Sequence, residues 1–326
     1  MRIPKALLFV LSLVALLSLA LAVLVGSGDS SGAEALAVLF GGGDATLRDI
    51  VLRLRLPRAL AAFGTGACLA QAGVLMQVML RNPLADPYIL GTSGGAAVGA
   101  LTAMLAGAAG LAIDGAAFGG ALFSTVLVFG LTGRRGEWAP GRLLLTGVVI
   151  AAGWGAVVSL LLATSPEAGL RGMLFWLMGD FAFAGSAWGV LVAAGIAAVA
   201  GIAGGQALNL LATGEQQAAL LGLPVAQTRG CVYLGAAALT SLAVTTAGTV
   251  GFVGLVIPHL LRLCGATDHR VLVPGAALAG GSLLVVADTF ARTALAPTQL
   301  PVGAITALIG VPLFLVLLRQ GRGRLA

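Results

Sequence analysis

Apolar runs of about 20 residues, separated by short polar turns, repeat along nearly the whole chain. A run of that length can cross the roughly 30 Å hydrocarbon layer of a bilayer as a helix. The pattern predicts helices near residues 6–26, 57–80, 88–110, 112–133, 140–163, 186–205, 229–250, 253–264, 272–292 and 301–320. The segment at 253–264 is too short to span alone, and 168–179 reads as an extra short helix lying at a surface. The expected fold is all-α: one polytopic membrane domain over residues 1–326, with about ten transmembrane helices.

One stretch interrupts this regularity. In "LMQVMLRNPLADPYILGTSGGAAVGA", residues 75–100, Arg81, Asn82, Asp86 and two prolines break the apolar run before a ladder of small residues begins. Small residues let helix backbones approach closely in lipid, so the Gly-rich helix after the turn reads as buried inside the bundle. A flexible linker would be polar instead.

Composition agrees with a membrane protein. The chain is 59% hydrophobic and 9% charged, against roughly 25% charged residues in an average soluble domain. The basic start followed by an apolar run raises a cleaved signal peptide. That reading is set aside, because the run is about 20 residues, longer than a signal core, and further apolar segments follow. Cys68, Cys231 and Cys264 lie in apolar segments with no disulfide or zinc spacing and read as packing residues.

Charge orients the bundle. With the N-terminus inside, the inner loops carry Arg2, Lys5, Arg81, Arg134, Arg135, Arg142, Arg229, Arg262, Arg270, Arg319, Arg322 and Arg324, which places both termini in the cytoplasm. The net charge of +6 does not imply a nucleic-acid partner, since it is spread over separate loops without a basic stripe or interleaved aromatics. Lys5 is the only lysine, so the chain has no Walker A sequence and no P-loop of its own. Any ATP used with it is hydrolysed by another chain.

Between the sixth and seventh predicted helices lies a hydrophilic island, "ATGEQQAALLGLPVAQTR", residues 212–229. Gly222 and Pro224 after Glu215 predict a short helix, a sharp turn and a second element. Together with "RLPRALAAFGTGACLAQAGVLMQ", "RNPLADPYILGTSGGA", "GTVGFVGLVIPHLLRLCGATDHRVLVPGAALAG" and "LPVGAITALIGVPLFLVLL", the chain resembles the FecCD family, the permease subunits of type II ABC importers for iron chelates, heme and cobalamin. The resemblance runs from about Arg55 to Leu318.

The resemblance implies a subunit that dimerises with a second copy of itself around a central pathway in the bacterial inner membrane. Two ATP-binding subunits would sit below and a periplasmic substrate-binding protein above. It implies no catalytic residue, no metal and no cofactor in this chain. The coupling loop at about 212–229 would offer Glu215, Ala218, Ala219, Leu220, Gly222, Leu223 and Pro224 to the ATPase. Asn82 and Leu84, in a turn stiffened by Pro83 and Pro87, are expected to form part of a cytoplasmic gate, with the "APGR" turn at 139–142 opposite. Outside, Arg55, Arg58 and Arg292 match positions that grip glutamates of the binding protein, a task suited to the guanidinium fork.

Some residues invite other readings. His259 and His269 occupy family-patterned positions, which argues against a ligand role. Asp288 is an ionisable residue at membrane depth, for which an ion pair with Arg292 at i,i+4 spacing is the simplest account. The aromatic segment at 165–189 reads either as an interfacial belt or as the wall of an outer vestibule. Residues 248–280 look most like cobalamin permeases of the family, and "RNPLADPYILGTSGGA" more like iron-chelate permeases; heme is compatible with both and is the favoured cargo, with cobalamin or a ferric siderophore as the alternative. An ion-driven secondary transporter should show buried acids or broken helices at the midplane, of which the helix centres contain almost none. An intramembrane enzyme should show a nucleophile and base, and none is present.

Overall fold

The computed structural model describes residues 3–26, 32–42, 44–132, 140–182 and 184–321. The elements run in order α1 Ile3–Leu24, α2 Gly32–Leu39, α3 Ala45–Asp49, α4 Leu56–Leu80, α5 Thr92–Leu105, α6 Leu111–Thr132, α7 Pro140–Ala163, α8 Glu167–Met178, α9 Trp188–Ala212, α10 Glu215–Leu220, α11 Val225–Ala247, α12 Val253–Leu263, α13 His269–Thr293 and α14 Val302–Gly321. No strand occurs among the described residues. Seven of the described helical stretches are long and apolar enough to cross a membrane, and α5, α12 and the first part of α14 are shorter apolar helices. The fold is an all-α polytopic membrane protein. Each run expected from the hydrophobic pattern coincides with one of these helices, and the extra short helix is α8.

The boundaries differ where turn chemistry intervenes. The helix expected from residue 88 starts at Thr92 as an α-helix, after a 3₁₀ turn at Pro87–Leu90 and Gly91 at φ +68°. With 14 residues, α5 measures about 21 Å, short of the roughly 30 Å hydrocarbon thickness. At the other end of α4, the helix does not begin at Pro57 but continues from α3 through a π-helical turn, Ile50–Arg55. Pro57 lacks an N–H and its ring crowds the carbonyl four residues back. The turn before it widens accordingly, with the Leu56 N–H reaching the Val51 carbonyl.

The centre of the bundle is α4, enclosed by α9, α11, α12 and α13. The Gly-rich α5 is packed inside the bundle as its composition suggests, chiefly on α6. Glycine decides both contacts. A Cβ on Gly66 would lie 2.2 Å from the Gly280 carbonyl oxygen of α13, and one on Gly73 would lie 1.9 Å from that of Gly254 in α12. In α5 a Cβ on Gly95 would lie 2.3 Å from the Gly120 carbonyl oxygen of α6. Lipid offers no hydrophobic drive between helices, so such backbone approaches carry the association through van der Waals contact.

Large apolar side chains stay uncovered on α7 (Leu145, Val148, Leu160), α9 (Ile196, Val199) and α14 (Leu308, Leu315). In a bilayer these faces meet lipid or another apolar chain.

Candidate functional sites at the two membrane faces

At one face, α9 ends at Ala212, and the chain turns through Gly214 at φ +118° into the six-residue α10. Glu215 occupies its first turn, where a carboxylate suits the helix dipole, and pairs with Arg229 of α11. At the C-terminal end, the Gly222 N–H donates to the Ala219 carbonyl at 3.0 Å and the Leu223 N–H to the Ala218 carbonyl at 3.0 Å. This is a Schellman turn with glycine, φ +83°, at its left-handed position. Pro224 then precedes α11. Ala218 is buried against the bundle, whereas Ala219 is exposed and Leu220 is 88% exposed.

The result is a short, doubly anchored element that presents an apolar tip. Leu221, 65% exposed beside Leu220, belongs to that tip and is absent from the residues expected on sequence. An uncovered leucine pair on a locked turn is the signal that locates it.

The turn after α4 lies near the same face. Arg81 adopts a left-handed φ of +46°, and its N–H donates to the Val78 carbonyl while that of Asn82 reaches Gln77. The Asn82 side chain accepts from the Leu84 N–H at 2.9 Å, so it holds the turn's shape. Leu84 is exposed. Asp86 accepts from the Tyr88 N–H at 2.8 Å, and the Tyr88 hydroxyl donates to the Val250 carbonyl at 3.1 Å. Burial pushes the Asp86 carboxyl up to about 6, against the opposing Tyr88 N–H. The backbone of Ile89 lies against Gly147 of α7. Of the "APGR" turn, Ala139 and the Pro140 side chain lie outside the described residues, and Gly141 and Arg142 are exposed.

At the opposite face, the three arginines expected to meet a binding protein do converge, but each is engaged within its own chain. Arg58 grips Asp288 with Nε at 3.0 and 3.1 Å and Nη2 at 2.8 Å, reaches Gln299 at 3.1 Å, and lies 3.5 Å from Asp180. Asp288 is 2% exposed, and its chief partner is Arg58, 230 positions away. The pair expected with Arg292 is present only at 3.9 Å. Arg55 donates to the Val23 carbonyl at 3.2 Å, and Arg292 to that of Ala22. These carbonyls belong to the last turn of α1, where the helix leaves acceptors without intrahelical donors. Gly26 makes room, since a Cβ there would lie 2.0 Å from the Arg55 guanidinium.

Asp180, in the loop after α8, has its carboxyl raised by burial, opposed by the Ala182 N–H and by Arg58. Among the described residues no three His, Cys, Asp or Glu side chains gather as a metal site. Cys68 is buried and bonds to the Val190 carbonyl, while Cys231 and Cys264 are exposed. In α8, Met173 is buried and Trp176 packs beside it against α5 and α6 residues.

The site thus combines helices long and apolar enough to cross a membrane, an apolar element protruding at one end and a buried ionic cluster at the other. The chain belongs to the FecCD transport family, which it matches over residues 13–320. It is 43% identical over 272 residues to the vitamin B12 import system permease protein BtuC of Salmonella paratyphi A, covering 82% of this chain and 83% of that one. To the protein of the same name from Escherichia coli O139:H28 it is 42% identical over 277 residues, 83% and 84% of the two chains. Among solved structures it is similar to a metal-chelate type ABC transporter in an inward-facing conformation, with a TM-score of 0.85 and 30% identity over 97% of this chain and 99% of that one. PsaBC of Streptococcus pneumoniae shares the fold at a TM-score of 0.56 and 13% identity, over 83% and 93% of the chains.

Proposed function

We propose that this chain is the transmembrane permease subunit of an ABC importer in a bacterial cytoplasmic membrane, and that its cargo is cobalamin. The observation that carries the cargo is the 42–43% identity with vitamin B12 import permeases across more than four-fifths of the chain. Heme, favoured from the motifs alone, becomes the second cargo, because identity over more than four-fifths of the chain outweighs a short turn that resembles iron-chelate permeases.

The mechanism follows from the two faces. Two copies meet through apolar helix faces such as those of α7 and α14 and enclose the pathway. ATP-binding subunits receive Leu220 and Leu221 of α10 in an apolar cleft. Because the Schellman turn and the Glu215–Arg229 pair hold α10 to α9 and α11, a push on the tip moves whole helices rather than a slack loop. The turn at Asn82 and Leu84, which leads into the 3₁₀ turn that lies against α7, closes the inner mouth in one state and opens it in the other. On the outside the binding protein docks over the arginine cluster, with Arg58 as the contacting residue, since Gln299 beside it is at the surface and Arg55 and Arg292 are occupied in closing α1.

Uptake into proteoliposomes containing the assembled importer, with cobalamin, heme and a ferric siderophore compared in parallel, tests the proposal. ATP-dependent uptake of cobalamin alone is expected. Uptake of heme or the siderophore without cobalamin would replace the cargo, and uptake driven by an ion gradient without ATP would overturn the class.

A further inference from the structure

A cavity of about 330 Å³ opens beside the end of α4 and is lined by Gln77, Arg81, Asn82, Arg262, Thr267 and His269 among others. It gathers the last turn of α12, the first residue of α13 and the turn after α4. The lining contains two arginines and a histidine but no carboxylate. Among the described residues neither Arg81 nor Arg262 forms an ion pair. The charged groups nearby are otherwise engaged. Glu215 pairs with Arg229, Asp268 accepts from Asn209 and from the Arg270 N–H, and the Arg270 guanidinium reaches Gln206. Arg262 donates to the Gln77 side-chain oxygen, which fixes the direction of its fork.

His269 supplies the second observation. It is 5% exposed, and its Nε2 is buried without a hydrogen-bond partner. The Asn209 amide nitrogen donates to Asp268 at 2.9 Å, so the amide oxygen is the atom that faces His269. That oxygen lies 3.0 Å from the His269 N–H and 2.6 Å from Nδ1. A carbonyl oxygen only accepts, so Nδ1 carries the proton and Nε2 of the neutral ring is a bare acceptor. A buried acceptor left open is costly, and a complementary ligand must give it a proton while accepting from guanidinium groups.

We propose that this cavity binds a hydrogen phosphate group, inorganic phosphate or a phosphate monoester, with its oxygens on Arg81 and Arg262 and its P–OH donating to His269 Nε2. A phosphodiester or a sulfate offers the oxygens without the hydrogen and satisfies only the arginines. Two sources carry the chemistry: free phosphate, and the monoester headgroup of phosphatidic acid in the inner leaflet. The site stands beside the coupling element, since Nη1 of Arg81 would lie 3.1 Å from a Cβ on Gly214. An occupant therefore ties the end of α4 to the approach of α10. The inference concerns this chain alone and does not depend on the cargo.

The test uses the full chain in nanodiscs of phosphatidylcholine. Binding of radiolabelled inorganic phosphate is measured with sulfate as competitor, and retention of phosphatidic acid against phosphatidylglycerol is read by native mass spectrometry. Saturable phosphate binding with sulfate at least about tenfold weaker assigns a free ligand, and selective retention of phosphatidic acid assigns the lipid; both support the site. Arg81→Gln, at an exposed position, is expected to weaken either ligand about tenfold without lowering the melting temperature. Equal competition by sulfate, equal retention of phosphatidylglycerol, an unchanged affinity in Arg81→Gln, or no binding in either arm would overturn the proposal.

Discussion

The two ends of this bundle treat their polar and apolar groups in opposite ways. At the end that carries Arg58, the side chains of Arg55, Arg58 and Arg292 are each engaged by the chain itself, through α1 carbonyls and through Asp288. At the end that carries α10, Leu220 and Leu221 stand uncovered on a rigid turn, and two arginines and His269 line a cavity that contains no carboxylate. Polar groups near a membrane interior are costly unless paired, so the Arg58 cluster reads as a seal that keeps α1, α4 and α13 together. The α10 end keeps apolar and basic surface uncovered, which under the proposed function is the end that exchanges contacts with ATP-binding subunits.

The largest test of this contrast is at the seal. Arg58→Met leaves the Asp288 carboxylate buried with only the distant Arg292, and loss of one partner of a buried pair costs about 3–5 kcal/mol. A marked fall in melting temperature in detergent is expected, most of it regained in the double variant Arg58→Met, Asp288→Leu. An unchanged melt would show that the Arg58–Asp288 pair does not hold α4 to α13.

A smaller effect is expected at the inner tip. Leu220→Ser with Leu221→Ser removes apolar area that contributes roughly 1–2 kcal/mol per side chain on burial against a partner. Affinity for the ATP-binding subunit should fall tenfold or more while the melt of the isolated chain stays within a degree or two. Gly222→Ala places a side chain at φ +83° with open space around it, so only backbone strain of about 1 kcal/mol is added. Transport per ATP should fall roughly fivefold, while the unfolding temperature falls slightly.

The smallest effect is a pH dependence at the turn. The Asp86 carboxyl is raised from 3.8 to about 6 by burial, so the folded chain holds a proton there that the unfolded chain has lost. Stability from this group is therefore gained as pH falls through about 6 and is reduced above it. Asp86→Asn keeps the capping oxygen and removes the titration. The melting difference between the two forms should change by the equivalent of about 1 kcal/mol between pH 7 and pH 5, and a constant difference would show that Asp86 ionises freely.

Much of this was legible in the chain because it depends on local rules. Runs of about 20 apolar residues mark helices, and Gly222 followed by Pro224 marks the end of α10. The outer cluster was not legible in the same way. Spacing of four residues points Asp288 to Arg292, but the structure brings Arg58 from 230 positions away to a shorter distance, and no local rule foresees a tertiary partner. The start of α5 was misread because Pro87 suits a first helical turn, whereas Gly91 delays the α-helix until Thr92. The ladder of small residues in α5 marks a helix packed inside the bundle, and its buried face bears this out, but that α4 lies at the centre depends on how many neighbours a helix meets.

The central claim is that ATP drives cobalamin inward through this chain by acting on the tip of α10. The most direct measurement is cobalamin uptake into proteoliposomes holding the complete importer, comparing the unmodified chain with the Leu220→Ser, Leu221→Ser variant at matched subunit content. The account predicts ATP-dependent uptake for the first and uptake near background for the second, with both chains folded. Equal uptake by the two, or uptake that proceeds without ATP, would contradict it.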